Sequence, residues 1–260
     1  MPLSAVSRRR IAPQASTTSL VAELLVDERH FDAPGIAIPR PEAHLVVRFG
    51  PAARTGVDVH AFGPRQRVHR KFILSGQRTV TARLRLGAHE AVLGAPASAI
   101  SERIVPLEEL WGEAQARRLF ERLAAARATV DAAAVLDSAI AERLALAADR
   151  RAGVPLALHA AERLAHANVK AVSIELGVSD RHLRRVFHES FGLNPKVFAQ
   201  LARFRRALHA ARADHEPNWA GIASAAGYYD QAHLIADFRA IAGVTPRALL
   251  DELKSALSVG

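Results

Sequence analysis

ELGVSDRHLRRVFHESFGLNP, residues 175–195, and AAGYYDQAHLIADFRAIAGVTP, residues 225–246, are two versions of one pattern. Leu183, Phe187, Gly192 and Pro195 recur as Leu234, Phe238, Gly243 and Pro246, each displaced by 51 residues. The His182-Leu183 pair returns as His233-Leu234. The turn glycines, Gly177 and Gly227, are displaced by only 50, so the second turn carries one extra residue. Chance supplies one such match; four in register mark a duplicated unit.

Each unit reads as a short apolar helix, a glycine turn and a second helix, the layout of a helix-turn-helix. In the first, 169–176 is the leading helix, Gly177 suits a left-handed turn, and Ser179 can cap the next helix. At helical spacing Leu183, Phe187, Ser190 and Phe191 share one face. Arg181, Arg184, Arg185 and His188 share the opposite one. Three arginines on a stripe suit guanine edges and phosphates in a major groove; on an ordinary helix they would be a solvated basic face. Between the units, PKVFAQLARFRRALHAARA (195–213) is a third helix. Asn194 caps it, Pro195 opens it, and Phe198, Leu201, Phe204 and Leu208 form its buried stripe.

Upstream the pattern changes. SLVAELLV (19–26), HLVVRFG (44–50) and VDVHAFG (57–63) read as strands bounded by Pro, Gly or Asp. Thr79–Leu86 is the clearest: Val80, Ala82, Leu84 and Leu86 face one way, and Thr79, Thr81, Arg83 and Arg85 the other. From Pro106 helical spacing takes over, with Leu107, Leu110 and Trp111 at i, i+3, i+4 and helices expected near 114–127 and 131–147. RRAGVP, near residues 150–155, reads as a break. The expected organisation is a flexible basic arm (1–18), a β-rich α+β sensor or dimerisation domain (19–112), a helical connector (113–152) and an all-α domain with two helix-turn-helix units (153–254).

The chain of 260 residues is half hydrophobic and 23% charged, so it can bury real cores. Its net charge of +9 favours a polyanionic partner without naming one. The absence of cysteine excludes disulfides, thiolate zinc sites, iron–sulfur clusters and cysteine nucleophiles. Apolar runs are too short for a membrane span, and MPLSAVSRRR has no apolar stretch after it, so a cytoplasmic protein is expected. His44, His60, His69 and His89 lack metal-ligand spacing. HExxH, GxSxG and GxxxxGK are missing. No cofactor and no catalytic residue are expected. Tyr228-Tyr229 reads as packing plus a phosphate contact, and Trp111 and Trp219 as packing anchors.

With GVSDRHLRRVFHESFGLNP, RFRRAL and GYYDQAHLIADFRAIAGVTP in place, residues 155–252 resemble the DNA-binding domain of AraC/XylS-type bacterial transcription regulators. The resemblance implies two recognition helices facing successive major-groove segments of double-stranded DNA. Its base-reading positions fall on Arg181, Arg184, Arg185 and His188, and in the second unit on Ala232, Ile235, Ala236 and Arg239 with Gln231 at the edge. That second stripe departs from the family, where polar readers are common; it can touch thymine methyls or rest on the backbone. FGPRQRVH, LRLGAHEAVLGAPAS and VPLEELWG resemble more loosely a domain that precedes such modules in one subgroup. The family further implies RNA polymerase, a small-molecule effector and a second copy of the chain as partners, and a place at the nucleoid. An enzyme or metabolite-binding protein with an attached DNA-binding module, and a helical interaction protein with no DNA role, are the alternatives.

Overall fold

The computed structural model describes residues 6–51, 53, 56–146 and 155–258. The N-terminal part is built on strands β1 (Val6–Ile11), β2 (Val21–Arg29), β3 (Ala33–Ala37), β4 (His44–Phe49), β5 (Val57–Phe62), β6 (His69–Ile73), β7 (Arg78–Leu84) and β8 (Ile104–Pro106). Its helices are α1 (His89–Leu93), α2 (Ala97–Ile100), α3 (Leu107–Trp111), α4 (Glu113–Ala124) and α5 (Thr129–Leu146). The C-terminal part is helical: α6 (Pro155–Leu164), α7 (Val169–Glu175), α8 (Asp180–Phe191), α9 (Pro195–Ala213), α10 (Trp219–Ala225), α11 (Gln231–Ala242) and α12 (Pro246–Ser258). This is the expected β-rich domain followed by an all-α one. Among the described residues no helix is long and apolar enough to cross a membrane.

The main sheet runs β1-β2-β7-β4-β5-β8 with antiparallel pairing throughout, and β3 and β6 form a separate antiparallel ribbon. The alternation read in 79–86 holds as far as Leu84: Val80, Ala82 and Leu84 are buried, while Thr79, Thr81 and Arg83 lie on the other, polar face; beyond the strand's end Leu86 packs instead against the first C-terminal core. In register, Glu23, Arg83, His44 and Phe62 form one row across four strands.

Two expectations need correction. The arm expected at 1–18 is, over its described part, structured: β1 pairs with β2 from Val6 to Ile11. Beyond it, buried Thr17 donates to Asp137 at 2.6 Å, and the Gln14 backbone N–H donates to the same carboxylate at 2.7 Å. Arg8 and Arg10, which looked like a loose basic tail, pair with Asp27 and Glu23. The connector expected at 113–152 is, over its described part, layer rather than linker. Leu119, Leu123, Leu136 and Ile140 of α4 and α5 pack in one core with Val47, Val59 and Val80 of the sheet. An apolar helix face has to be covered, and the nearest apolar surface is the sheet. The break read at 150–155 lies outside the described residues, apart from Pro155, which begins α6.

The C-terminal part has two smaller cores. One gathers Leu164, Val172, Leu183, Phe187, Phe191 and Phe198 around α6–α8 and the start of α9. The other gathers Phe204, Leu208, Leu234, Phe238 and Leu249 around the rest of α9 and α10–α12. Helix α9 contributes to both, which fixes the two units relative to each other.

Candidate nucleic-acid interface

The duplication read in the sequence is a duplication of geometry. Leu183 and Leu234 are fully buried, as are Phe187 and Phe238. Gly192 and Gly243 end α8 and α11 in the left-handed conformation, at φ 66° and 75°. Pro195 and Pro246 each begin the following helix. Ser179 caps α8 by accepting from the His182 N–H, and Asp230 caps α11 by accepting from the His233 N–H at 2.7 Å. The turns match as well: Val178 N–H donates to the Ser173 carbonyl and Tyr228 N–H to the Ala223 carbonyl. The extra residue of the second turn is therefore Tyr229, which is 93% exposed beside the start of α11.

Helix α8 turns its apolar stripe inward, where Phe187 meets Phe191 and Phe198 edge-on. Arg181, Arg184, Arg185 and His188 all stand exposed on the outer face. Among the described residues Arg181 and Arg184 form no ion pair, while Arg185 sits 3.3 Å from Glu189 one turn on. Two unpaired guanidinium groups on one turn of an exposed helix are free to take oxygen acceptors from outside. On α11, Gln231, Ala232, Ala236 and Arg239 are exposed, but Ile235 is half-buried against the second core. The orientation of α11 is set from α9: Gln200 donates to Asp237 at 2.8 Å, Arg203 lies 3.4 Å from it, and Arg206 donates to the Ala226 carbonyl.

Residues 172–252 match the family model of a helix-turn-helix domain. Over that stretch the chain carries a helix-turn-helix domain. No curated protein matches the chain. Among solved structures, the C-terminal domain of AraT, a response regulator from Geobacillus stearothermophilus, is 20% identical over 38% of this chain and 87% of that one, with a TM-score of 0.36. A DNA-binding transcriptional dual regulator from Escherichia coli K-12 is 21% identical over 37% and 95%, at 0.31. ToxT from Vibrio cholerae aligns over 95% and 98% at 9% identity, at 0.45.

The helix-turn-helix domain is not isolated from the sheet. At the first unit, α2 lies against α8: Ser101 Oγ donates to the Gly192 carbonyl at 3.1 Å. At the second, Val68 N–H donates to the Ile241 carbonyl at 2.9 Å, and Arg70 donates to the Ala242 carbonyl and pairs with Glu252. Both α8 and α11 are thus held at their C-terminal carbonyls, away from their N-terminal turns. Sequence reasoning missed these contacts. The only signal for them was that the strings 62–69 and 84–98 stood out without a role; they flank or contain the contacting residues. Among the described residues no group of three or more His, Asp or Glu could hold a metal ion.

Proposed function

We propose that the protein is a sequence-specific transcription regulator in which residues 153–254 read DNA and the β-rich part controls them. The observation that carries the reading is the exposed Arg181, Arg184, Arg185 and His188 stripe on α8, inside a duplicated helix-turn-helix. Helix α8 enters a major groove with Arg181 and Arg184 on base edges or phosphates, and Arg185 and His188 follow the same groove. Helix α11 enters the next segment with Gln231, Ala232, Ala236 and Arg239. Ile235 supports it from the core side. In this reading the chain is a regulator and not an enzyme, working at cytoplasmic DNA beside RNA polymerase. The contacts from 68, 70 and 101 to both recognition helices give the β-rich part a route by which an effector or a second copy alters DNA affinity. Selection of bound duplexes from a randomised pool, followed by titration at several salt concentrations, tests the proposal. A defined motif and a steep log-linear loss of affinity with salt are expected. Binding without preference or without salt dependence would overturn it.

A further inference from the structure

A cavity of about 250 Å³ opens on the polar face of the main sheet, between β2, β7 and the segment leading into β4. Glu23, Arg40, Glu42, Arg83 and Arg85 line it, with Arg205 of α9 reaching Glu42 at 3.4 Å from the DNA-binding side. The two carboxylates are already engaged. Glu23 is shared by Arg83 and Arg10, and Glu42 faces Arg205. Arg40 is left over: half-buried, with no ion pair among the described residues, repelled by Arg83 and Arg205, and attracted only by Glu42 and Glu23, which are already paired elsewhere. Its guanidinium is pushed down to about 10, first by burial and then by those two arginines. His44, which also lines the cavity, is held neutral by burial and so supplies no further cation. A half-buried cation whose nearby carboxylates are committed to other arginines is costly unless a further group of opposite sign joins it. A perturbed charged group lining a concave site is a candidate binding position.

We propose that this cavity binds a small doubly charged oxyanion, of the dicarboxylate or phosphate-monoester class. Arg40 forms the main contact, and Arg83 and Arg85 flank it. The volume suits a compact metabolite. The planar fork of Arg40 suits bidentate oxyanion binding. Because Glu42 connects the rim to Arg205 on α9, occupancy competes for the same charges that join the sheet to the helix shared by both reading units. This deepens the effector reading above by naming the ligand class, and it is tested without DNA so that either can fail alone.

The full-length protein is titrated with succinate and, separately, with inorganic phosphate, at constant ionic strength set with chloride. Melting temperature and binding calorimetry are the readouts. A saturable rise with either probe is expected, and which probe gives it assigns the carboxylate or the phosphate class. Arg40→Gln weakens apparent affinity tenfold or more, and Arg40→Lys less. Without probe, Arg40→Gln melts no lower than the parent, since it removes an unpaired cation. No saturable response to either probe up to tens of millimolar, or equal affinity in the parent and Arg40→Gln, would overturn the proposal.

Discussion

The Arg70 guanidinium donates to the carbonyl of Ala242, the last residue of α11, at 3.0 Å. The same side chain pairs with Glu252 on α12 at 2.8 Å, so one residue of the β3–β6 ribbon ties the end of α11 to α12. Ser101 has the matching relation to Gly192 at the end of α8. The ion pair is partly exposed and contributes little, but the bond to a helix-terminal carbonyl adds about 0.5–1.5 kcal/mol. Arg70→Ala is therefore expected to raise amide exchange in the last turn of α11 and the turn 243–245. Exchange in α6–α8 should stay as it was. Hydrogen exchange with peptide-level resolution checks this, and uniform acceleration across 155–258 would contradict it.

Gly192 and Gly243 occupy equivalent helix ends but unequal surroundings. A Cβ at Gly192 would lie 2.8 Å from the Ala97 carbonyl oxygen, whereas at Gly243 it meets nothing within 4 Å. Both alanine variants take the left-handed strain, about 1–2 kcal/mol. Only Gly192→Ala adds a backbone clash across the contact with α2, worth a further ~1–3 kcal/mol. Chemical denaturation is expected to rank Gly192→Ala clearly below Gly243→Ala. Equal stabilities would mean that α2 gives way freely.

Stability should also fall with acid through His89. Burial alone pushes its imidazole down to about 4, against an ordinary value of 6.5. The unfolded chain therefore binds the proton first, so this contribution is complete above pH 6.5 and is lost as pH falls toward 4. The slope is about 1.4 kcal/mol per pH unit for one group. Between pH 6.5 and 5, His89→Gln is expected to lose about 1.5 kcal/mol less than the parent, since the slope reaches its full value only below the unfolded pKa. Denaturation at the two pH values measures the difference, and parallel losses would show that His89 is not the group responsible.

What could be read in the sequence followed periodicity. The α8 stripe, the caps at Ser179 and Asn194 and the inward face of β7 each depend on neighbours within one element. Ser179 and Asn194 accept from His182 and Lys196 as their positions implied. The β3–β6 ribbon was not legible, because APGIA holds a proline and a glycine and four of the five β6 residues are exposed. The β1 strand looked like a tail because Arg8 and Arg10 pair with Asp27 and Glu23, farther along the chain. Long-range pairing of this kind leaves no local pattern. The same holds for Arg40, whose position is defined by what the fold fails to place beside it.

The two recognition helices are expected to divide the work unequally. Arg184 is exposed and forms no ion pair among the described residues, so Arg184→Ala removes nothing from the fold and should leave stability within about 0.5 kcal/mol. If it reads a guanine, its loss costs about 1–3 kcal/mol of discrimination at one position. Arg185 is the less clean probe, since it also faces Glu189 and His182. On α11, Ile235 is half-buried and Ala232 and Ala236 carry no donor, so in the proposed reading Gln231 is the one polar group for base edges and Arg239 meets phosphate. Arg239→Ala should weaken all duplexes about equally and reduce the salt slope by roughly 1, as loss of one phosphate contact does. Selecting operators with each variant separates the two effects. A parent motif retained by Arg184→Ala and lost by Arg239→Ala would reverse the assignment, and would place base reading on the second helix despite its apolar stripe.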